Sequence, residues 1–301
     1  MNNPYHTPVM LEACMQGLAI KSDGLYVDVT FGGGGHSRSI LALMGEKGHL
    51  YAFDQDPDAR KNLIHDNRFT FIQQNFRFLK NNLRLYGLKH VDGILADLGV
   101  SSHQFDQAER GFSTRFDARL DMRMDQSGEL DAAKIVNTYN EDELHRIFGM
   151  YGEIHNARTL AKTLVKARIT GTLETVATLK DSIKGLMPRG KEHKYMAQLF
   201  QALRIEVNGE LDALQTFLQQ SAELLTPGGR LVILSYHSLE DRLVKNFIGK
   251  GKFRGEVEKD FFGNEIKPFK SVNRKAITAS EDEIAVNNRA RSAKLRIAEK
   301  I

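Results

Sequence analysis

The stretch richest in chemistry is Asp28-Val-Thr-Phe-Gly32-Gly-Gly-Gly35-His36-Ser37. Four successive glycines permit positive φ and remove the side chains that would keep a ligand off the backbone. Between a strand and a helix, such a turn offers N–H groups and a helix N-terminus to a carboxylate or phosphate. A tight turn without a ligand is the competing reading. A P-loop needs Gly-Lys-Ser/Thr where this chain has Gly35-His36-Ser37. The frames open to a G-x-G-x-x-G/A dinucleotide fingerprint end in Ser37 or Arg38.

The better fit is acid-x-x-x-Gly-x-Gly from Asp28, which resembles the first motif of S-adenosylmethionine enzymes, with Thr30 where those often have another glycine. Asp54 follows Gly35 by nineteen residues and ends a second strand candidate. In a doubly wound sheet a carboxylate there faces a cofactor ribose, although a helix N-cap before Pro57 would also use an acid. Asp97 ends a fourth strand candidate and opens the small-residue turn Asp97-Leu-Gly-Val-Ser-Ser102. It lies at the carboxyl edge, where open α/β sheets bind ligands; a capping role is the alternative. Ser235 and His237 follow a fifth strand and could orient an acceptor or relay a proton; His237 reads equally well as a structural hydrogen-bonding residue. The single cysteine, Cys14, rules out an internal disulfide and a multi-cysteine zinc site, and no metal is called for. Cys14 falls in an N-terminal helix candidate, away from the strand ends, so amine chemistry is favoured over chemistry that needs a thiol nucleophile.

These residues require a sheet to carry them. Leu25–Thr30, His49–Asp54, Phe69–Ile72 and Val91–Asp97 are strand candidates separated by helix-length stretches, which implies βαβ units and a mostly parallel sheet. Arg230–Ser235 follows the turn Thr226-Pro-Gly-Gly229 as a fifth. Before it, Met196, Leu199, Phe200, Leu203, Val207, Leu211, Leu214, Leu218, Ala222 and Leu225 recur at steps of three and four. That spacing predicts one continuous apolar helix stripe, with Gly209 marking a kink. Between Asp97 and this helix, Asn140–Met150, Ile154–Arg168 and Thr172–Leu186 have helical patterns and no strand stands out. The expected fold is therefore α/β, a Rossmann-like methyltransferase sheet at 1–107 and 198–301 with an inserted all-helical domain at 108–197.

The composition, 41% hydrophobic and 27% charged, suits a water-soluble globular chain. Apolar runs are strand-sized, so no membrane span is expected. The N-terminus lacks a secretory pattern, and a cytoplasmic location is expected. The net charge of +4 points weakly to a polyanion. Basic residues gather in Arg242–Arg254 and in Arg289-Ala-Arg-Ser-Ala-Lys-Leu-Arg296, as either solvated or phosphate-contacting faces.

Eight stretches in order resemble the MraW/RsmH family, the cytosine-N4 methyltransferases of small-subunit rRNA. They are His6–Glu12, Asp28–Ser37, Asp92–Ser102, Glu109–Ser113, Leu120–Asp125, Gln201–Asn208, Ser235–Asp241 and Arg289–Arg296. The resemblance implies S-adenosylmethionine contacts at Gly34, Gly35, His36, Asp54, Phe76, Asp97 and Gln104, with Phe76 flanking the adenine. It implies catalysis around Asp97, Ser235 and His237 on a cytidine of 16S rRNA near the decoding centre, within the small ribosomal subunit. A homodimer is compatible with it. Ala118-Arg119 replaces a usual Gly-Pro, His193–Leu199 departs from a usual His-Pro-Ala-Thr-Arg stretch, and Ala276 and Ala279 replace prolines. These departures fall on the substrate side. A dinucleotide-dependent oxidoreductase and an assembly factor with a vestigial site are the competing functional classes.

Overall fold

The computed structural model describes residues 8–301, so His6 and Thr7 of the first motif lie outside the described residues. The strands are β1 (Leu25–Asp28), β2 (His49–Asp54), β3 (Phe69–Gln73), β4 (Val91–Asp97), β5 (Leu225–Ser235), β6 (Glu258–Lys259), β7 (Glu265–Ile266), β8 (Phe269–Ser271) and β9 (Lys294–Lys300). The helices are α1 (Leu11–Leu18), α2 (Gly35–Leu43), α3 (Leu79–Leu85), α4 (Ser102–Asp106), α5 (Ala132–Thr138), α6 (Glu141–Met150), α7 (Ala157–Thr170), α8 (Val176–Ser182), α9 (Glu192–Asn208), α10 (Glu210–Leu224), α11 (Ser238–Lys250) and α12 (Glu281–Val286). None of the described helices is long and apolar enough to cross a membrane.

Two units emerge, one of residues 1–99 and 211–301, the other of 100–210. In the first, one sheet has the order β3-β2-β1-β4-β5-β9-β8. Its first five strands run parallel, while β9 and β8 are antiparallel. The parallel strands are apolar almost throughout because helices cover both faces. On one side Leu18, Ile40, Leu95 and Val232 share a core. On the other, Ile94, Phe217, Leu218, Leu231, Val244 and Phe247 do. Chain order reverses between β1 and β4, which places a crevice at their carboxyl ends.

The second unit is helical, with Phe112, Leu120, Leu144, Phe148, Leu160, Leu179, Leu199 and Leu203 in its core. The expected start of α6 is realised as a capping box between Asn140 and Glu143. The three motifs that fall here brace one another. The buried Arg110 donates to the Arg123 and Met124 carbonyls. Asn208 accepts from Met124 N–H and donates to the Met122 carbonyl, and Arg123 forks onto Asp121.

Two sequence expectations need correction. The single stripe from Met196 to Leu225 is two helices, because Gly209 adopts φ 57°, ψ 38° and caps α9. Residues of α9 then fill the helical core, whereas Leu214 and Leu218 of α10 fill the sheet core. The two compact units meet in sequence at residues 99/100 and 210/211, beside the expected bounds of 107/108 and 197/198. Finally, the basic tail is only in part a free face. Arg291 is exposed, but Lys294 opens β9 beside β5, with Leu295 and Ala298 buried, and Arg296 forks onto Asp241 at 2.7 and 3.2 Å.

Candidate active site

Parallel strands end in register, so their last residues converge without any sequence proximity. Asp28 stands opposite Leu95, and Asp97 opposite Leu234. Asp28 is 1% exposed and accepts from Ser37 Oγ (2.7 Å) and Thr30 N–H (3.0 Å). Burial raises its pKa, opposed by His36 and these hydrogen bonds. The Thr30 hydroxyl accepts from Asp97 N–H at 2.7 Å and lies 3.4 Å from Asp28 Oδ1. Thr30, a departure from glycine in the sequence pattern, thus ties the end of β1 to that of β4.

The glycine loop is held from several directions. Gly34 has φ 74° and caps α2. Arg38 donates to the Gly33 and Gly34 carbonyls and to Asn62 O, and Asn62 donates to Gly32 O. A Cβ on Gly35 would lie 2.3 Å from Pro8 Cγ. Neither Arg38 nor Asn62 is evident from the sequence, because both act through backbone carbonyls. Asp54 closes the loop from β2, accepting Gly32 N–H at 2.7 Å and Asp56 N–H at 2.8 Å. Burial pushes its pKa up to about 6 against those two bonds. An ionised carboxylate offers about four lone-pair sites, so capacity remains for a pair of hydroxyls.

His36 turns Nε2 toward Val9 O (3.2 Å) and Nδ1 toward Asp97 Oδ2 (3.8 Å). Tyr236 donates its hydroxyl to the other oxygen, Asp97 Oδ1, at 2.6 Å. Burial raises the Asp97 pKa, with His36 and Tyr236 opposing. The same contact, with burial leading, drives the Tyr236 pKa well above its ordinary value. Tyr236 is not among the candidates the sequence singles out. Its signal is an aromatic lodged between Ser235 and His237 at the carboxyl end of β5.

The remaining candidates make local contacts, although the buried Nε2 of His237 makes no hydrogen bond. Ser235 is buried, and its hydroxyl lies 3.4 Å from Lys294 O on β9. His237 caps α11 through Nδ1, with Nε2 3.2 Å from Glu240 Oε1. Phe76 is half-buried at the carboxyl end of β3, edge-on to Phe217 at 5.4 Å. Gln104 belongs to the helical unit, where it forms a capping box with Ser101. Cys14 is closer to the acids than its helix position suggests. Burial raises its pKa, Asp97 and Asp28 adding to the shift, so the thiol stays protonated.

The geometry offers a Gly-lined cradle beside a ribose-type carboxylate and a buried acid held by a tyrosine. The model of the MraW methylase family matches residues 3–301. The chain belongs to that family. Among curated relatives it is similar to the Ribosomal RNA small subunit methyltransferase H of Flavobacterium johnsoniae, with 58% identity over 99% of this chain and 98% of that one. Its namesake in Cytophaga hutchinsonii is also 58% identical, over 98% and 99%. That of Phocaeicola vulgatus is 54% identical, over 98% and 97%.

In this member of the MraW methylase family the motifs divide by task. Asp28–Ser37 and Asp97 stand at the carboxyl ends of the adjacent strands β1 and β4. Asp92 itself is structural, accepting Leu25 N–H and pairing with Lys21. Ser235–Asp241 joins both roles: Tyr236 reaches Asp97, while Asp241 anchors Arg296.

Proposed function

We propose that the chain transfers the methyl group of S-adenosylmethionine to the exocyclic N4 amine of a cytidine in 16S rRNA. The target lies near the decoding centre and is met within the small ribosomal subunit. The observation that carries this reading is the full-length similarity to the small-subunit rRNA methyltransferases, joined to the Asp97–Tyr236 pair beside the glycine cradle.

The residues present fit the cofactor. Arg38, Phe31 and Pro8 fill the space where side chains on Gly34 and Gly35 would stand, which fixes the loop tightly beside the strand ends, and Asp54 keeps acceptor capacity for vicinal ribose hydroxyls. His36 and Phe76 border the same strand ends. When bound, S-adenosylmethionine supplies a methyl group made electrophilic by its sulfonium.

The amine lone pair of cytosine is delocalised into the ring, so the site must hold the N–H groups and aim the nitrogen. Asp97 accepts one N–H and takes the proton that the nitrogen gives up as the bond to the methyl carbon forms and the carbon–sulfur bond breaks. Tyr236 and His36 position that carboxylate and oppose its neutralisation. Preorganised electrostatics then carries the rate, with no covalent enzyme intermediate. A C5 reaction would need a thiolate, which Cys14 does not provide. The cytidine must be unpaired or flipped to reach the crevice.

Two measurements bear on this. Total 16S rRNA from cells lacking the gene is expected to lose one N4-methylcytidine, restored by the wild-type gene; retention of every such nucleoside rejects the assignment. The Asp54 carboxyl provides a pH test. Its folded pKa is raised, so acidification protonates it near pH 6 and removes acceptor capacity. Cofactor affinity is expected to weaken below about pH 6, by up to about tenfold per pH unit. Calorimetric titration between pH 5 and 8 checks this, and a flat profile would mean that Asp54 does not hold the ribose.

A further inference from the structure

Tyr236 and His237 join β5 to α11. The ladder between β5 and β9 closes with Ser235 opposite Lys294. The N–H groups of Tyr236 and His237 therefore fall past the last ladder pair and ahead of the first helical turn, where a backbone donor needs another acceptor. Glu240 supplies it. This acid is 3% exposed and takes no part in the transfer step itself. Its Oε2 accepts from Tyr236 N–H at 2.9 Å and from His237 N–H at 3.4 Å.

The bond to His237 is the reach-back half of a capping box, whose other half runs from Glu240 N–H to His237 Nδ1 at 3.4 Å. A capping box ordinarily stops at the N-cap residue. Here the same carboxylate oxygen extends one residue further back, to Tyr236, and makes the shorter of its two bonds there. His237 stands against the other oxygen. Because Nδ1 accepts from Glu240 N–H, the neutral ring carries its proton on Nε2. That nitrogen is buried without a hydrogen bond and lies 3.2 Å from Glu240 Oε1. The misaligned N–H and the carboxylate still attract, which keeps the Glu240 side chain folded back over the turn.

We propose that Glu240 is a positioning residue for methyl transfer: it clasps the Tyr236 backbone so that the phenol hydroxyl meets Asp97, and His237 holds the clasp shut. The contacts are continuous, from Glu240 Oε2 to Tyr236 N–H and from Tyr236 Oη to Asp97 Oδ1 at 2.6 Å. The hydroxyl stands at the far end of a long side chain, so a small rotation of the Tyr236 backbone is magnified where it meets the acid. Misplacement by about 1 Å at a reacting centre can cost about 10²-fold in rate. The inference rests on Asp97 being the acceptor that Tyr236 positions.

The test is a double-mutant cycle, read in single-turnover methyl transfer to small ribosomal subunits, with cofactor titration and thermal unfolding of each variant. Glu240→Ala is expected to slow transfer about tenfold, with cofactor affinity within about twofold of wild type. In a Tyr236→Phe background the same substitution is expected to slow transfer by less than about twofold, because the hydroxyl it positions is already gone. Glu240→Gln keeps the shape and one acceptor oxygen, so its rate is expected between those of wild type and Glu240→Ala, and it carries the cycle if the alanine variant unfolds. A merely structural acid would lower the melting temperature and slow both backgrounds by the same factor. That result overturns the proposal, as does a wild-type rate in Glu240→Ala. Hydrogen exchange at the Tyr236 amide of the unliganded chain reads the link without catalysis. Exchange is expected to quicken about tenfold or more in Glu240→Ala, and unchanged protection in the folded variant overturns the clasp. A wild-type rate in Tyr236→Phe instead overturns the Asp97–Tyr236 reading, and this inference with it.

Discussion

Asp97→Ala is expected to lower methyl transfer by about 10²–10³-fold, the range seen when one preorganised polar partner is removed from a reacting centre. Asp97 has both carboxylate oxygens addressed by side chains, Tyr236 donating to one and His36 lying 3.8 Å from the other. Losing it removes the acceptor and leaves the Tyr236 hydroxyl without its bond. Single-turnover rates on small subunits check this, together with a cofactor titration. Tyr236→Phe separates positioning from acceptance. Donation from Tyr236 favours the ionised carboxylate, so its loss raises the Asp97 pKa further. The acid limb of the pH–rate profile is then expected to move to higher pH. A purely structural tyrosine would lower the rate without moving that limb.

Gly34→Ala is expected to reduce cofactor affinity by at least about tenfold while leaving the chain folded. The residue sits at φ 74°, where an L side chain costs about 1–2 kcal/mol. Its Cβ would lie 2.5 Å from Arg38 Nη1 and 2.9 Å from the Phe31 ring. Arg38 must swing out, freeing the Gly33 and Gly34 carbonyls that it now holds. Gly87→Ala provides the control, since Gly87 has φ 75° with nothing within 4 Å of an added Cβ. It should lower the melting temperature and leave binding intact. Calorimetry on both variants decides the point; unchanged affinity in Gly34→Ala would place the cofactor elsewhere.

Alternation of apolar runs with helix-length gaps makes β1 to β4 legible, since strands buried on both faces leave a dense apolar record. His49–Asp54 and Val91–Asp97 match their strands residue for residue. The antiparallel strand β9 is hidden because its charged residues look like a basic tail. Partners distant in sequence take up these charges: Arg296 forks onto Asp241, Lys294 pairs with the same carboxylate, and Glu299 pairs with Arg230. Gly209 is legible as a kink but not as a helix end, because the apolar steps of three and four run on past the left-handed cap of α9. In the site, Asp28, Asp54 and Asp97 stand out since they end strands. Tyr236, Thr30 and Arg38 do not, because their roles lie in partners brought from other strands or in backbone carbonyls. The departures from the family pattern at Ala118-Arg119 and His193–Leu199 fall in the helical unit.

The decisive measurement is transfer of labelled methyl from S-adenosylmethionine to small ribosomal subunits that lack the modification, followed by nucleoside analysis of the RNA. The expected result is label in N4-methylcytidine with wild type and none above background with Asp97→Ala. Label in another nucleoside, or no label in RNA from a chain that binds the cofactor, would contradict the assignment of cytidine N4 as the acceptor.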